Sequence, residues 1–342
     1  MLCATGRRVN HPGGKSRAAA SLQVRATPPR IPSMQIHVRT AIFAIGGIAC
    51  TYAENPTEWA WRQTAASLAL VHQNETVWQL NFGPDEPKPN FHPLATPGGR
   101  VLTAYEPADH PWHRGLWWAW KYINGVNYWE ENRHARTSAG RTTVADSIIT
   151  PGDDFSARAT LTIHYHPPGE PALLSEIRHL AISAPDASGS YHIDWSSTFT
   201  AGETPLTLDR TPPASAGGPR HGGYAGLSLR FSTELENLAC LTSQGTTTAE
   251  AAHARPARWL AYSDASASAA ILDHPDNLRH PQPWYAWNTA HMRFFSPSPI
   301  FDAPLELQAG ESFHLRYRIL IQANPANTDA MEKAWDTFRS SE

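Results

Sequence analysis

"ARATLTIHYHPPGEPALLSEIRHLAIS", residues 157–183, decides the fold. Ala157, Ala159, Leu161, Ile163 and Tyr165 alternate with Arg158, Thr160, Thr162, His164 and His166. A period of two puts the first set on one face of a strand and the second on the other. Pro167-Pro168-Gly169 interrupts the run with turn residues, and alternation resumes afterwards. The stretch therefore predicts two antiparallel strands, Ala157–His166 and Ala172–Ser183, each buried on one face.

The same signature extends outward. In "SGSYHIDWSSTFTAG" Ile193, Trp195 and Ser197 share one face, and His192, Asp194 and Ser196 the other. Ser67–Phe82 reads as two strands about Asn74-Glu75, and Val101–Tyr105 as another. "RWLAYSD" and "ASAAILDHP" read as a hairpin, and so does "PLELQAGESFHLRYRILIQ", turning at Ala309-Gly310-Glu311. Only "NTDAMEKAWDTFRSS" reads as a helix, with Asn327 as its cap. A dozen or more short strands with few helices predict an all-β protein, a large antiparallel β-sandwich. Segments 83–100, 106–136, 209–223 and 273–304 read as loops longer than connection requires, and such loops carry function.

Composition narrows the function classes. The chain has 342 residues, net charge −3 and no basic stripe, which argues against nucleic acid as a partner. Residues 1–33 are basic and aperiodic and read as a disordered or misassigned extension. Residues 34–53 have the layout of a signal peptide: Met34, Arg39, an apolar run from Ala41 to Cys50, then small residues ending at Ala53. Residues 54–342 are then a single exported domain, periplasmic or extracellular. Ala49-Cys50 hints at a lipoprotein site, although Gly47 stands where a branched apolar residue is usual. Of Cys3, Cys50 and Cys240 only the last would remain after cleavage, so neither a disulfide framework nor a cysteine metal cluster is expected. No segment of the mature chain has the length of a membrane-spanning helix.

Four segments mix titratable groups with turn residues: Phe91-His92-Pro93, Asp109–Gly115 with Asn124, Trp129 and Glu130 downstream, Arg220–Tyr224, and Asp273–Pro281 followed by Trp284-Tyr285. Histidine suits proton transfer near neutral pH, arginine offers a rigid fork of donors, and tryptophan offers a flat apolar face. Sugars require that mixture, because their C–H faces stack on aromatics and their hydroxyl rims need donors and acceptors. Each feature also has an ordinary reading. Trp118 and Trp120 fall on one face of a strand and Trp117 on the other, so core packing accounts for one face. His164, His166 and His179 lie in or beside strands and read as structural. His110 and His113 could hold a metal only with a third ligand, which the spacing does not supply, so no metal and no cofactor are expected. "SAGGPRHGGY" lacks the strand–loop–helix setting of a phosphate loop.

At these residues the chain resembles a bacterial family long labelled "methane oxygenase PmoA" and now treated as a domain of unknown function. The matching motifs are "FHPLATPGGRVLT", "DHPWHRGLWWAWKYINGVNYWEE", "GGYAGLSLRF", "ILDHPDNLRHPQPWYAW" and "FFSPSPIFDAPLELQAGESFHLRYRILI", in order over roughly residues 60–325. The chain departs from the family at Trp112, where many members carry a histidine. The resemblance implies a galactose-mutarotase-like supersandwich, a fold shared by aldose epimerases, polysaccharide lyases and some glycosidases. The oxygenase label is at odds with a chain that lacks several membrane-spanning helices.

The resulting expectation is an exported carbohydrate-active enzyme with its site on the concave face of the larger sheet. His110 and His113 are its candidate acid/base groups, and Arg114 binds a hydroxyl, carbonyl or carboxylate. His92, Asn124, Trp129, Glu130, His274, Arg279 and Trp284 are the candidate substrate-binding residues. Epimerase, mutarotase or lyase chemistry fits histidines and an arginine. A glycoside hydrolase needs a carboxylate pair, and Glu130 with Asp194 is the only one on offer, so that reading ranks lower. A non-catalytic glycan-binding module is the alternative from another class, and a metal-dependent oxygenase the third.

Overall fold

A computed structural model describes residues 59–341. The N-terminal extension, the export segment with its cleavage point, Cys3 and Cys50 lie outside the described residues. Within them, the opening hairpin forms. Strands Ala157–His166 and Leu174–Ile182 pair antiparallel, with Ala157 opposite Ile182 and Tyr165 opposite Leu174. Ala159, Leu161, Ile163 and Tyr165 are buried, as the alternation predicts.

These strands belong to a nine-stranded antiparallel sheet. Its order is Gly245–Thr247, Ala239–Thr242, Trp259–Ser263, Ser268–Asp273, Ser312–Gln322, Tyr191–Ala201, Leu174–Ile182, Ala157–His166 and Arg141–Pro151. A second nine-stranded sheet runs Trp59–Gln63, Ser67–His72, Glu75–Asn81, Asn90–Thr96, Leu116–Ala119, Gly226–Arg230, Arg293–Pro297 and Trp284–Asn288, with Arg100–Val101 branching from Asn90–Thr96. A four-stranded sheet joins Leu305–Leu307, Leu206–Asp209, Tyr122–Ile123 and Val126–Asn127.

The two large sheets pack face to face over one apolar core. Phe91 meets Trp195 at 6.4 Å between ring centroids, Trp118 meets Phe199 at 5.1 Å, and Tyr262 meets Phe295 at 4.9 Å. Tyr191 crosses between the sheets, its hydroxyl donating to the carbonyl of Ala95 at 3.2 Å with that of Val77 at 3.4 Å. The helix Thr328–Arg339 covers part of the outer face of the first sheet through Met331, Trp335 and Phe338. Asn327 caps it, accepting from the amides of Asp329 and Ala330.

Five expectations need correction. The segment 106–136 is not all loop, because it holds the strands Leu116–Ala119, Tyr122–Ile123 and Val126–Asn127, and of Val101–Tyr105 only Val101 lies in a strand. The segment 304–322 is not a hairpin. Ser312–Gln322 is paired on both edges, by Tyr191–Ala201 and Ser268–Asp273, so Leu305–Leu307 turns away to pair with Leu206–Asp209. The segment 83–100 is not all loop, because Asn90–Thr96 is a strand despite Pro93. Likewise 273–304 contains two paired strands, Trp284–Asn288 and Arg293–Pro297.

The second sheet's strands set up the site. On Leu116–Ala119 the side chains of Leu116 and Trp118 enter the sandwich core, while Trp117 and Ala119 face outward. Trp284 and Ala286 face inward while Tyr285 and Trp287 face outward, and Phe295 faces inward while Phe294 faces outward. The sheet is therefore apolar on both faces, and the outer face carries a second cluster of aromatic residues.

Candidate active site

The chain reaches that outer face through a series of tight turns. The amide of His110 bonds to the carbonyl of Pro107, that of His113 to His110, and that of Glu106 to His113. Gly115 then takes a φ of +73°, where an added Cβ would run into the carbonyl oxygen of Phe91. His110, Trp112 and His113 are thereby held at the mouth of the strand Leu116–Ala119.

They form one wall of a cavity of about 430 Å³. Trp129 and Glu130 close it on one side, His221 and Tyr224 on another, and Tyr285, Trp287, Met292 and Phe294 from the sheet edge. The aromatic rings are in mutual contact, with Trp129 at 4.8 Å from Tyr224 and Tyr224 at 5.4 Å from Tyr285.

The imidazole rings of His110 and His113 stack at 4.7 Å, and His113 also stacks on Phe294 at 5.3 Å. Asp109 binds His110 Nδ1 at 2.9 Å and is itself held by Arg230 Nη2 at 2.8 Å. Burial pulls the Asp109 carboxyl upward, but the His110 hydrogen bond and Arg230 outweigh it and hold it below its ordinary value. An ionised Asp109 can only accept, so His110 donates from Nδ1 and its neutral form carries the lone pair on Nε2. His113 is pushed well below 6.5, chiefly by burial, with smaller contributions from His110, Arg230, Lys88 and, last, Arg114. Burial thus keeps the His113 ring neutral, with a ring lone pair free to accept a proton. His113 Nδ1 is buried without a hydrogen-bond partner.

Glu130 presents a different chemistry. Tyr224 donates to its Oε1 at 2.6 Å, and Asn127 and Lys121 donate to its Oε2. Burial raises its carboxyl, yet these donors together hold it below its ordinary value. Glu130 is thus a fixed carboxylate and not a proton donor.

The other predicted residues go elsewhere. Arg114 is fully buried behind the cavity, donating to Glu131 at 2.5 Å and to the carbonyl of Pro111, with Glu106 at 3.3 Å. Lys88 shares Glu131, so Arg114 is part of an internal ion network and not a ligand-facing group. Trp284 is in the core, its indole donating to Ala257, and its neighbours Tyr285 and Trp287 take the cavity face. Asn124 is a turn residue with φ +50°, bonded to Thr207. Arg279 clamps the carbonyls of Pro299, Ala303 and Pro304. His274 is buried against Phe338 on the opposite sheet, and His92 stacks on Tyr105 beside the Arg114 network. Asp194 pairs with Arg318 on the outer face of the first sheet, away from Glu130, which dissolves the proposed carboxylate pair. Among the described residues no group of three His, Cys, Asp or Glu is placed to hold a metal ion. No described helix is long and apolar enough to cross a membrane.

Sequence reasoning left Trp112, His221, Tyr224, Tyr285, Trp287, Met292 and Phe294 out of the site. Alternation along 284–288 and 293–297 would have supplied Tyr285, Trp287 and Phe294 once those segments were taken as strands.

The model of a family of unknown function, DUF6807, matches residues 67–336. The chain belongs to this family. No curated protein matches it. Among solved structures, a GH36 α-galactosidase from Geobacillus stearothermophilus is similar at 9% identity over 78% of this chain and 41% of its own, with a TM-score of 0.41. An α-galactosidase from Lactobacillus brevis is similar at 8% identity over 83% of this chain and 42% of its own, also with a TM-score of 0.41. The chain spans about two fifths of the length of these relatives.

Proposed function

We propose that the cavity binds a carbohydrate and that His110 and His113 transfer protons on it, in an epimerase-, mutarotase- or lyase-like reaction. The observation that carries this reading is the stacked histidine pair inside an aromatic cavity. His110, oriented by its hydrogen bond to Asp109, is the donor in this reading, and neutral His113 the acceptor. Proton-transfer chemistry on a sugar requires such a donor and acceptor together. Trp129, Tyr224, Tyr285 and Trp287 supply stacking faces, and Glu130 a fixed acceptor for a hydroxyl. Glycoside hydrolysis fits less well. Among the described residues Glu130 is the single carboxylate lining the cavity, and its donors keep it ionised.

The test is nuclear magnetic resonance in D2O with mono- and oligosaccharides, including uronates. The expected result is accelerated anomerisation or deuterium uptake at carbon, lost in His110→Gln and His113→Gln while binding persists. Binding by the parent protein without turnover would replace this reading with that of a glycan-binding module. We also propose that the protein acts after export, on the strength of the apolar run Ala41–Cys50. N-terminal sequencing from a bacterial host should begin near Glu54, and an intact Met1 would overturn the idea.

A further inference from the structure

A second cavity, of about 480 Å³, adjoins the first. The ring of Trp287 lines both. The loop that supplies His221 to the first supplies the preceding residue, Arg220, to the second. Trp287 lies on Trp284–Asn288, the edge strand of its sheet, so the second cavity opens where that edge meets Ala239–Thr242 and the short helix Ala249–Ala252.

Its polar groups suit hydroxyls. The Arg220 guanidinium sits over the Trp287 ring at 5.4 Å and pairs with Glu250 at 2.7 Å. Both members of that pair are largely exposed, so a ligand can exchange with it at little cost. His253 accepts the amide of Ala286 at Nδ1, which places its N–H on Nε2, and burial holds the ring neutral. Asn288 donates to the carbonyl of Leu238 and keeps an acceptor oxygen. The Arg220–Glu250 pair is neutral as a unit, and His253 adds no charge.

We infer that the two cavities are consecutive sugar subsites and that the ligand is a neutral oligosaccharide of at least two residues, crossing Trp287. The inference rests on the carbohydrate reading of the first cavity. Each subsite adds an aromatic or guanidinium surface and a set of hydroxyl partners, so affinity should climb with chain length and then level off.

The experiment is calorimetric titration with neutral glycans of one to four residues, and with a disaccharide ending in a uronate. Parent protein, Arg220→Ala and Arg220→Lys are compared, with circular dichroism as the folding check. The disaccharide is expected to bind at least 10-fold more tightly than the monosaccharide. Arg220→Ala should remove most of that gain and leave monosaccharide affinity within 2-fold. Arg220→Lys should recover little of it, because the flat guanidinium is lost. Equal affinity for one and two residues, or equal loss for both in Arg220→Ala, would overturn the inference and leave the first cavity's assignment standing. Preference for the uronate would overturn the neutral-ligand assignment. No binding by any glycan would instead remove the carbohydrate reading itself.

Discussion

His113 and Arg114 are consecutive, yet they enter opposite environments. His113 is in the cavity wall among aromatic rings, with no side-chain hydrogen bond at Nδ1. Arg114 turns inward and is surrounded by Glu131, Glu106 and the ring of Tyr105. A segment dense in chemistry-bearing residues is thus shared between a site and the scaffold behind it. The scaffold residue carries the heavier electrostatic load. A buried guanidinium demands paired carboxylates, whereas a buried imidazole can simply stay neutral.

The largest expected effect follows from that asymmetry. Arg114→Ala leaves the buried Glu131 with Lys88 alone and Glu106 with the exposed Arg136, and should cost about 3–5 kcal/mol of stability in urea unfolding. If Arg114→Ala kept its stability and lost only turnover, the division between scaffold and site would be wrong.

The strand Trp284–Asn288 offers the same comparison within one element. Trp284→Ala empties a core position and should destabilise by about 3–5 kcal/mol. Trp287→Ala, three residues along and on the outer face, should cost about 1 kcal/mol or less and mainly weaken ligand binding. Similar unfolding midpoints for the two variants would contradict the facing described above.

His113→Gln removes the proposed proton acceptor while roughly filling its space. Turnover should fall by about 100-fold, equivalent to about 2.7 kcal/mol of transition-state stabilisation. Circular dichroism should not change. A drop in affinity with turnover intact would instead make His113 a binding wall.

These comparisons also show what was legible in the sequence. The sandwich was, because period-two burial survives any topology: Ala157–His166 and Tyr191–Ala201 needed no knowledge of their partners. Pairing across a tight turn was too, as the hairpin Ala157–Ile182 shows, but pairing between distant strands was not, because an edge is allotted by competition, as Leu305–Leu307 shows. The candidate cavity was half legible. His110 and His113 were placed at a strand mouth by Pro111 and Gly115, and Trp129 lay within reach. Arg114 was misassigned because sequence cannot reveal that Glu131 and Glu106 converge on it. Trp284 was misassigned because a doubly apolar strand has no polar face to mark its register.

The smallest effect is a pH dependence that separates the two environments. Burial pushes His92, stacked beside the Arg114 network, down to about 4 from 6.5, and His113 is lowered in the same sense. Between pH 6.5 and about 4 the unfolded chain therefore binds protons that the native state refuses. Stability must fall as pH falls through that window, by about 2 kcal/mol at pH 5 for His92. Lys88 acts at the other end. Burial outweighs its attraction to Glu131 and lowers it to about 8 from 10.5, so stability should rise as pH climbs between those values. Urea unfolding at pH 5, 7.5 and 9.5 checks both limbs. His92→Gln should flatten the acid limb only, and Lys88→Met the alkaline limb only. If His92→Gln left the acid limb as steep as before, His92 would be protonated in the native state, and burial beside Tyr105 would not be what lowers it.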